Sequence, residues 1–122
     1  MSQTDDGSSQ RQTVLICEDE FIVALDLKLL LEDFGFDVLG PFAEVASAEA
    51  FVSKVTPDVA LLDVNLRDGQ VFPLADKLAK QGVRLVFHSG HVDDYEIRAR
   101  YPEAANCQKP VNTAGLKMAL CQ

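Results

Sequence analysis

Cysteine is scarce in this chain and badly placed for chemistry. Cys17, Cys107 and Cys121 are an odd number with no close spacing, which leaves no pattern for zinc or paired-thiol redox work. Cys17 and Cys107 fall inside predicted strands and are expected to be small buried hydrophobes in a reducing compartment. Cys121, beside the C-terminus, is expected to be exposed. Basic residues are also few: 11 Lys and Arg against 19 Asp and Glu give a net charge of −8. With no basic run to neutralise phosphates, nucleic-acid binding by this domain is excluded. No apolar run approaches a membrane span, and the N-terminus lacks a basic-then-apolar signal. The expectation is a cytoplasmic protein without membrane contact. There is no internal repeat and no linker, so the 122 residues form one domain large enough to bury a core.

What is present begins with order at Thr13. Residues 1–12 hold nothing to bury after Met1 and are expected to form a disordered tail, with the domain over 13–122. Thr13 to Cys17 is a compact apolar run that predicts the first strand. A helix follows over about 20–34, with Val23, Leu27, Leu30, Leu31 and Phe34 inward and Gly35 as C-cap. Residues 36–40 predict a second strand stopped by Pro41. Apolar positions 45, 48, 52 and 55 trace a helical face that Thr56-Pro57 ends. The run from Asp58 to Leu62 is too short and too continuously apolar for a helix, and predicts a strand buried on both faces. A helix over about 71–80 has Val71, Ala75, Leu78 and Ala79 inward, and Gly82 caps it. The fourth strand covers 83–88. Residues 91–101 are polar and predict at best a short, marginal helix. A weak fifth strand at 104–108 precedes a last helix over 113–120. Five alternations of strand and helix predict an α/β fold: a single doubly wound five-stranded parallel sheet with helices on both faces.

Four predicted strands end on polar groups. Glu18 and Asp19 follow the first, Asp63 the third, Ser89 the fourth and Lys109 the fifth. In an open parallel sheet those ends meet at the edge where ligands bind. Three clustered carboxylates repel one another unless a cation lies among them, and an all-oxygen set suits hard Mg²⁺. A carboxylate beside Mg²⁺ is a nucleophile toward a phosphoryl donor. Phosphoryl transfer then requires alignment and neutralisation of the equatorial oxygens, for which the cation, Lys109 and the Ser89 hydroxyl are suited.

On these residues the chain resembles the receiver domains of bacterial two-component response regulators, over about residues 13–120. The resemblance rests on Val14-Leu15-Ile16-Cys17-Glu18-Asp19-Glu20, Leu61-Leu62-Asp63-Val64-Asn65-Leu66, His88-Ser89-Gly90 and Lys109-Pro110. It is strongest toward small stand-alone receivers, which share the short loop Asp63 to Gly69. The resemblance implies a flavodoxin-like fold with Asp63 as phosphoacceptor. It implies that Asp19 binds Mg²⁺ directly, Glu18 largely through water and Asn65 through its main-chain carbonyl. Ser89 and Lys109 would contact the phosphoryl group, and Lys109-Pro110 would be cis. The implied donor is a sensor histidine kinase or a histidine phosphotransfer protein. With roughly a dozen residues outside the domain, no output domain is expected, so output would be contact with a downstream protein or service as a phosphate sink. The implied role is non-enzymatic beyond the domain's own phosphorylation and dephosphorylation.

Departures from that pattern are equally informative. The similar small receivers usually carry alanine then threonine where this chain has His88 and Ser89. Asn106 stands where many receivers have a switching aromatic, and Val111 where phenylalanine is usual. The relay is therefore expected to run through Ser89 and residues 90–101. A degenerate receiver that binds partners without phosphorylation is the alternative, and the intact Asp63, Lys109 and acidic pair argue against it. A flavin-binding domain would need a phosphate loop where Glu18-Asp19-Glu20 stands, and those carboxylates would repel the phosphate. A phosphatase with an aspartyl nucleophile would carry that Asp after the first strand, with a second Asp two positions on.

Overall fold

The computed structural model of the protein describes residues 11–110 and 112–121, so the first ten residues of the expected tail and Val111 lie outside the described residues. Five parallel strands form one sheet: β1 (Thr13–Cys17), β2 (Asp37–Phe42), β3 (Val59–Asp63), β4 (Arg84–Ser89) and β5 (Ala105–Gln108), in the spatial order β2-β1-β3-β4-β5. Five α-helices cover it: α1 (Phe21–Asp33), α2 (Val45–Val52), α3 (Phe72–Lys80), α4 (Asp94–Arg100) and α5 (Thr113–Leu120). This is the expected doubly wound architecture.

Strand alternation divides the core in two. Leu15, Ala60, Leu62, Leu85 and Phe87 point to the face packed by α2, α3 and α4. Val14, Ile16, Val59, Leu61 and Val86 point to the face packed by α1 and α5. Every residue of β3 is buried, as a central strand covered on both sides must be. Arg84 ties α5 down: its guanidinium donates to the Ala119 carbonyl at 2.7 Å and to the Leu120 carbonyl, placing a cation at the negative end of the helix.

The loop after β3 is held in a similar way. A two-residue antiparallel ribbon pairs Asn65–Leu66 with Gly69–Gln70. Asp68, at its tip, accepts from the Ala46 and Val45 amides at 3.0 and 2.6 Å, and these bonds hold its carboxyl below the usual range. An aspartate distant in sequence thus caps the N-terminus of α2.

Pro41 does not end the second strand. β2 continues to Phe42 through a cis Gly40-Pro41 bond, and its register on β1 slips between Leu15↔Leu39 and Cys17↔Phe42. The strand tolerates this because it lies at the sheet edge, where a missing N–H breaks no inner ladder. Gly40 sits at φ +98°, and a Cβ there would meet the Phe42 ring at 2.8 Å and the Ile16 carbonyl at 3.0 Å. Elsewhere α2 stops at Val52, three residues short of the apolar pattern, and Ala79 faces solvent. Cys17 is buried and Cys121 exposed, as expected, but Cys107, on the edge strand β5, is only partly buried.

The segment 91–101 is better anchored than its polarity suggests. A 3₁₀ turn at His91–Asp93 leads into α4, which buries Ile97, and Tyr101 just beyond it is also buried. The Tyr101 ring lies 5.2 Å from that of Phe87 and 6.1 Å from that of Phe72, and its hydroxyl donates to Asp76 at 2.6 Å. Burial, then the Asp76 carboxylate, pushes the phenol up to about 12. Ile97, Tyr101 and the buried Asp94 thus hold the segment, and a count of apolar residues misses how firmly. Replacing Tyr101 by Phe should cost about 1 kcal/mol in urea unfolding, the contribution of its hydroxyl. Tyr101→Ala should cost about 3–5 kcal/mol, and an unchanged midpoint in that variant would show that α4 is anchored elsewhere.

Candidate functional site

The same alternation that sorts the core places the site. Glu18 is two residues beyond Ile16, Asp63 two beyond Leu61, His88 two beyond Val86 and Lys109 two beyond Cys107, which packs on the α1/α5 side. Four neighbouring strand ends thus present side chains to one face at one edge. Asp63 and His88 are register partners on β3 and β4. Lys109 Nζ donates to Asp63 Oδ2 at 3.0 Å and lies 3.8 Å from Glu18 Oε1. His88 Nε2 is 3.6 Å from the same Glu18 oxygen. The other Glu18 oxygen accepts from the Glu20 amide at 3.0 Å. Asp63 Oδ1 accepts a long bond, 3.4 Å, from the Asn65 amide.

Charge in this corner is crowded and largely dry. Glu18 is 2% exposed, Asp63 5% and His88 0%. Burial first, and then the charge of Asp63, pushes the Glu18 carboxyl up to about 7, against the opposing Glu20 amide and the Lys109 ammonium. Burial pulls the His88 imidazole down to about 4, although Asp63 pulls the other way. The Cys17 backbone adds a weak upward pull on His88, but neither ring nitrogen reaches a partner in hydrogen-bonding geometry. For Lys109, burial works to lower the ammonium, and the bond and charge of Asp63, helped by Glu18 and Glu20, outweigh it, so the net shift is upward. Asp93, in the 3₁₀ turn, is raised by burial and by Asp63, so it too faces the site electrostatically.

The donor set fits a hard divalent cation. Glu18, Asp19 and Asp63 each bring a carboxylate oxygen within 4.8 Å of the others. Asp19 is half-buried at the mouth, and one oxygen of Glu18 lacks a hydrogen-bond partner. An all-oxygen cluster with one open side matches what Mg²⁺ takes from proteins.

Ser89 is at the edge, but its hydroxyl does not face Asp63. It alternates with His88 to the opposite face and donates to Asn106 Oδ1 at 2.9 Å. Asn106 Nδ2 in turn donates to Asp94 Oδ1 at 2.6 Å, and Gln108 Nε2 donates to the other Asp94 oxygen. Asn106 is thus a polar link from Ser89 to the first residue of α4, which sequence reasoning saw only as missing apolar volume. Asp93, Asp94 and Gln108 were also passed over, and His88 was read only as part of a motif. A histidine in an otherwise apolar strand, beside a strand-end serine, was the one visible signal. The Lys109-Pro110 bond is cis, as the resemblance implied.

No family model matches the chain. The solution structure of SdrG from Sphingomonas melonis Fr1 is similar at a TM-score of 0.77 and 36% identity, over 91% of this chain and 94% of that one. A CheY-like response regulator receiver domain from Methylobacillus flagellatus has a TM-score of 0.80 at 27% identity, over 92% of this chain and 98% of that one. The phyllosphere-induced regulator PhyR of Methylorubrum extorquens is 28% identical over 112 residues, which is 89% of this chain and 42% of PhyR. The chain spans between 33% and 42% of the length of the curated relatives it matches. No helix among the described residues is long and apolar enough to cross a membrane. With its sheet order, its strand-end site and these likenesses, the chain belongs to the receiver domains of response regulators, a family of signalling proteins.

Proposed function

We propose that Asp63 is the phosphoacceptor of a two-component pathway, with Lys109 and a bound Mg²⁺ as its electrostatic partners. The observation that carries this reading is the 3.0 Å contact from Lys109 Nζ to Asp63 Oδ2, inside a carboxylate cluster at the C-terminal edge of the sheet. An Asp63 oxygen attacks the phosphorus of a phosphohistidine on a sensor kinase or phosphotransfer protein. The P–O bond forms as the P–N bond breaks, and the donor imidazole leaves, taking up a proton. Lys109, already against the carboxylate, neutralises the negative charge that arrives with the phosphoryl oxygens. Asp19, Asp63, Glu18 through water and the Asn65 carbonyl would hold Mg²⁺, which when bound screens the same oxygens and aligns the donor.

Output follows from the Ser89 link. A dianionic phosphoryl group is a stronger acceptor than the amide oxygen of Asn106, so the hydroxyl turns toward it and the bond to Asn106 is lost. Asn106 then loosens its hold on Asp94, and the turn over 90–94 rearranges while Ile97 and Tyr101 stay packed. The partner surface lies close by. Phe21 and Ile22, 79% and 72% exposed, continue with Leu25 and Leu29 as an apolar stripe on the outer side of α1. A stripe of that kind suits protein–protein contact, whether with the donor or with a downstream protein.

Incubated with acetyl phosphate and Mg²⁺, the wild type should gain the mass of one phosphoryl group and Asp63→Asn none. A gain in that variant moves the acceptor elsewhere. Mg²⁺ should raise the melting temperature by mass action, with about 2.7 kcal/mol of stabilisation at a hundredfold excess over Kd. Asp19→Ala should abolish that rise, and a variant that still responds fully would displace the metal site. In amide exchange with and without a phosphoryl mimic, protection should change over 90–94 and stay constant over 97–101. Uniform change along 90–101 would mean that the whole segment melts instead.

A further inference from the structure

Among the described residues, three buried side-chain atoms lack a hydrogen-bond partner: Glu18 Oε1, His88 Nδ1 and His88 Nε2. They are not scattered, since Nε2 and Oε1 face each other at 3.6 Å. Buried polar atoms are nearly always paired in folded proteins, so an orphan set of complementary donor and acceptor marks a state of the site that completes it. The imidazole also lines a cleft of about 620 Å³ between α1 and α5, together with Glu20, Lys109, Pro110 and Thr113.

We propose that His88 is a positioning residue for the divalent cation, its Nε2–H donating to Glu18 Oε1 when the cation is bound. The inference rests on the reading of Glu18, Asp19 and Asp63 as a Mg²⁺ cluster. Glu18 has one oxygen committed to the Glu20 amide, and Lys109 is committed to Asp63 at 3.0 Å, leaving 3.8 Å to Oε1. Among the described residues, His88 Nε2 at 3.6 Å is the other donor group recorded beside that oxygen. Cation binding would fix the direction of the Glu18 carboxylate, and a shift of about half an ångström brings Oε1 to hydrogen-bond length from Nε2. A carboxylate that serves a metal through water needs such an outer partner, because its free oxygen otherwise lets it rotate away.

Calorimetric Mg²⁺ titration of the wild type, His88→Leu, His88→Gln and Asp19→Ala tests this directly. His88→Leu should weaken Mg²⁺ binding by about tenfold or more. His88→Gln, which restores an N–H, should recover most of that loss, whereas a merely structural role predicts that both variants behave alike. Should His88→Leu fail to fold, ¹⁵N spectra of the wild-type imidazoles decide the matter, with His91→Asn assigning the two rings. Mg²⁺ should then shift the His88 Nε2 signal and slow exchange of its proton. A folded His88→Leu with wild-type affinity, or a His88 signal indifferent to Mg²⁺, overturns the positioning role. Loss of binding in Asp19→Ala would at the same time leave the cation reading standing. If the wild type itself binds no Mg²⁺, both fall together.

Discussion

Everything at the functional edge of this domain depends on one electrostatic constraint: two nearly buried carboxylates, Glu18 and Asp63, share a single ammonium group. Lys109 is close enough to satisfy Asp63 but not Glu18 as well. Burial and the charge of Asp63 then push the Glu18 carboxyl up to about 7, and the site is left with more negative charge than its own residues balance. Such an edge is suited to a cation, and in the proposed reaction that cation offsets the charge of the phosphoryl group the edge would otherwise repel. A site short of positive charge when empty is therefore suited to a reaction that brings both signs together.

The sheet assigns different tasks to its two faces. Glu18, Asp63, His88 and Lys109 point toward α1 and α5, while Ser89, one residue beyond His88, points toward α4. Chemistry and readout are thus adjacent along one strand and separated by its pleat. On the side of α4 the links are hydrogen bonds, Ser89 to Asn106 to Asp94. Apolar anchoring is left to Ile97 and Tyr101, further along. Polar links of this kind have little tolerance for a missing partner, because an unpaired buried group costs more than a made bond contributes.

Much of this was legible in the sequence. Alternating apolar runs set the number and order of elements, and the last helix begins and ends where its pattern says. The polar residues ending four of the five strands pointed to one shared edge, since in a parallel sheet all strand ends lie there, and Glu18, Asp19, Asp63 and Lys109 do meet at it. The failures have a common origin. Pro41 reads as a strand terminator unless it is known that β2 lies at the edge. Residues 91–101 read as loosely held because two buried apolar side chains, Ile97 and Tyr101, are too few to form a periodic pattern and the buried Asp94 reads as solvated.

By itself, then, the sequence determined the alternation of five strands with helices and marked Asp63, Asp19, Glu18 and Lys109 as polar residues at strand ends, because local patterning and strand termini depend on near neighbours in the chain. Only the tertiary structure decided that Ser89 faces Asn106, that Asp68 caps α2 and that His88 meets Glu18. These pairs are separated by 17, 22–23 and 70 positions. Their meeting depends on which strands are neighbours and on which side of the pleat each residue falls. Such facts reside in the register between strands, and no window along a single chain contains them.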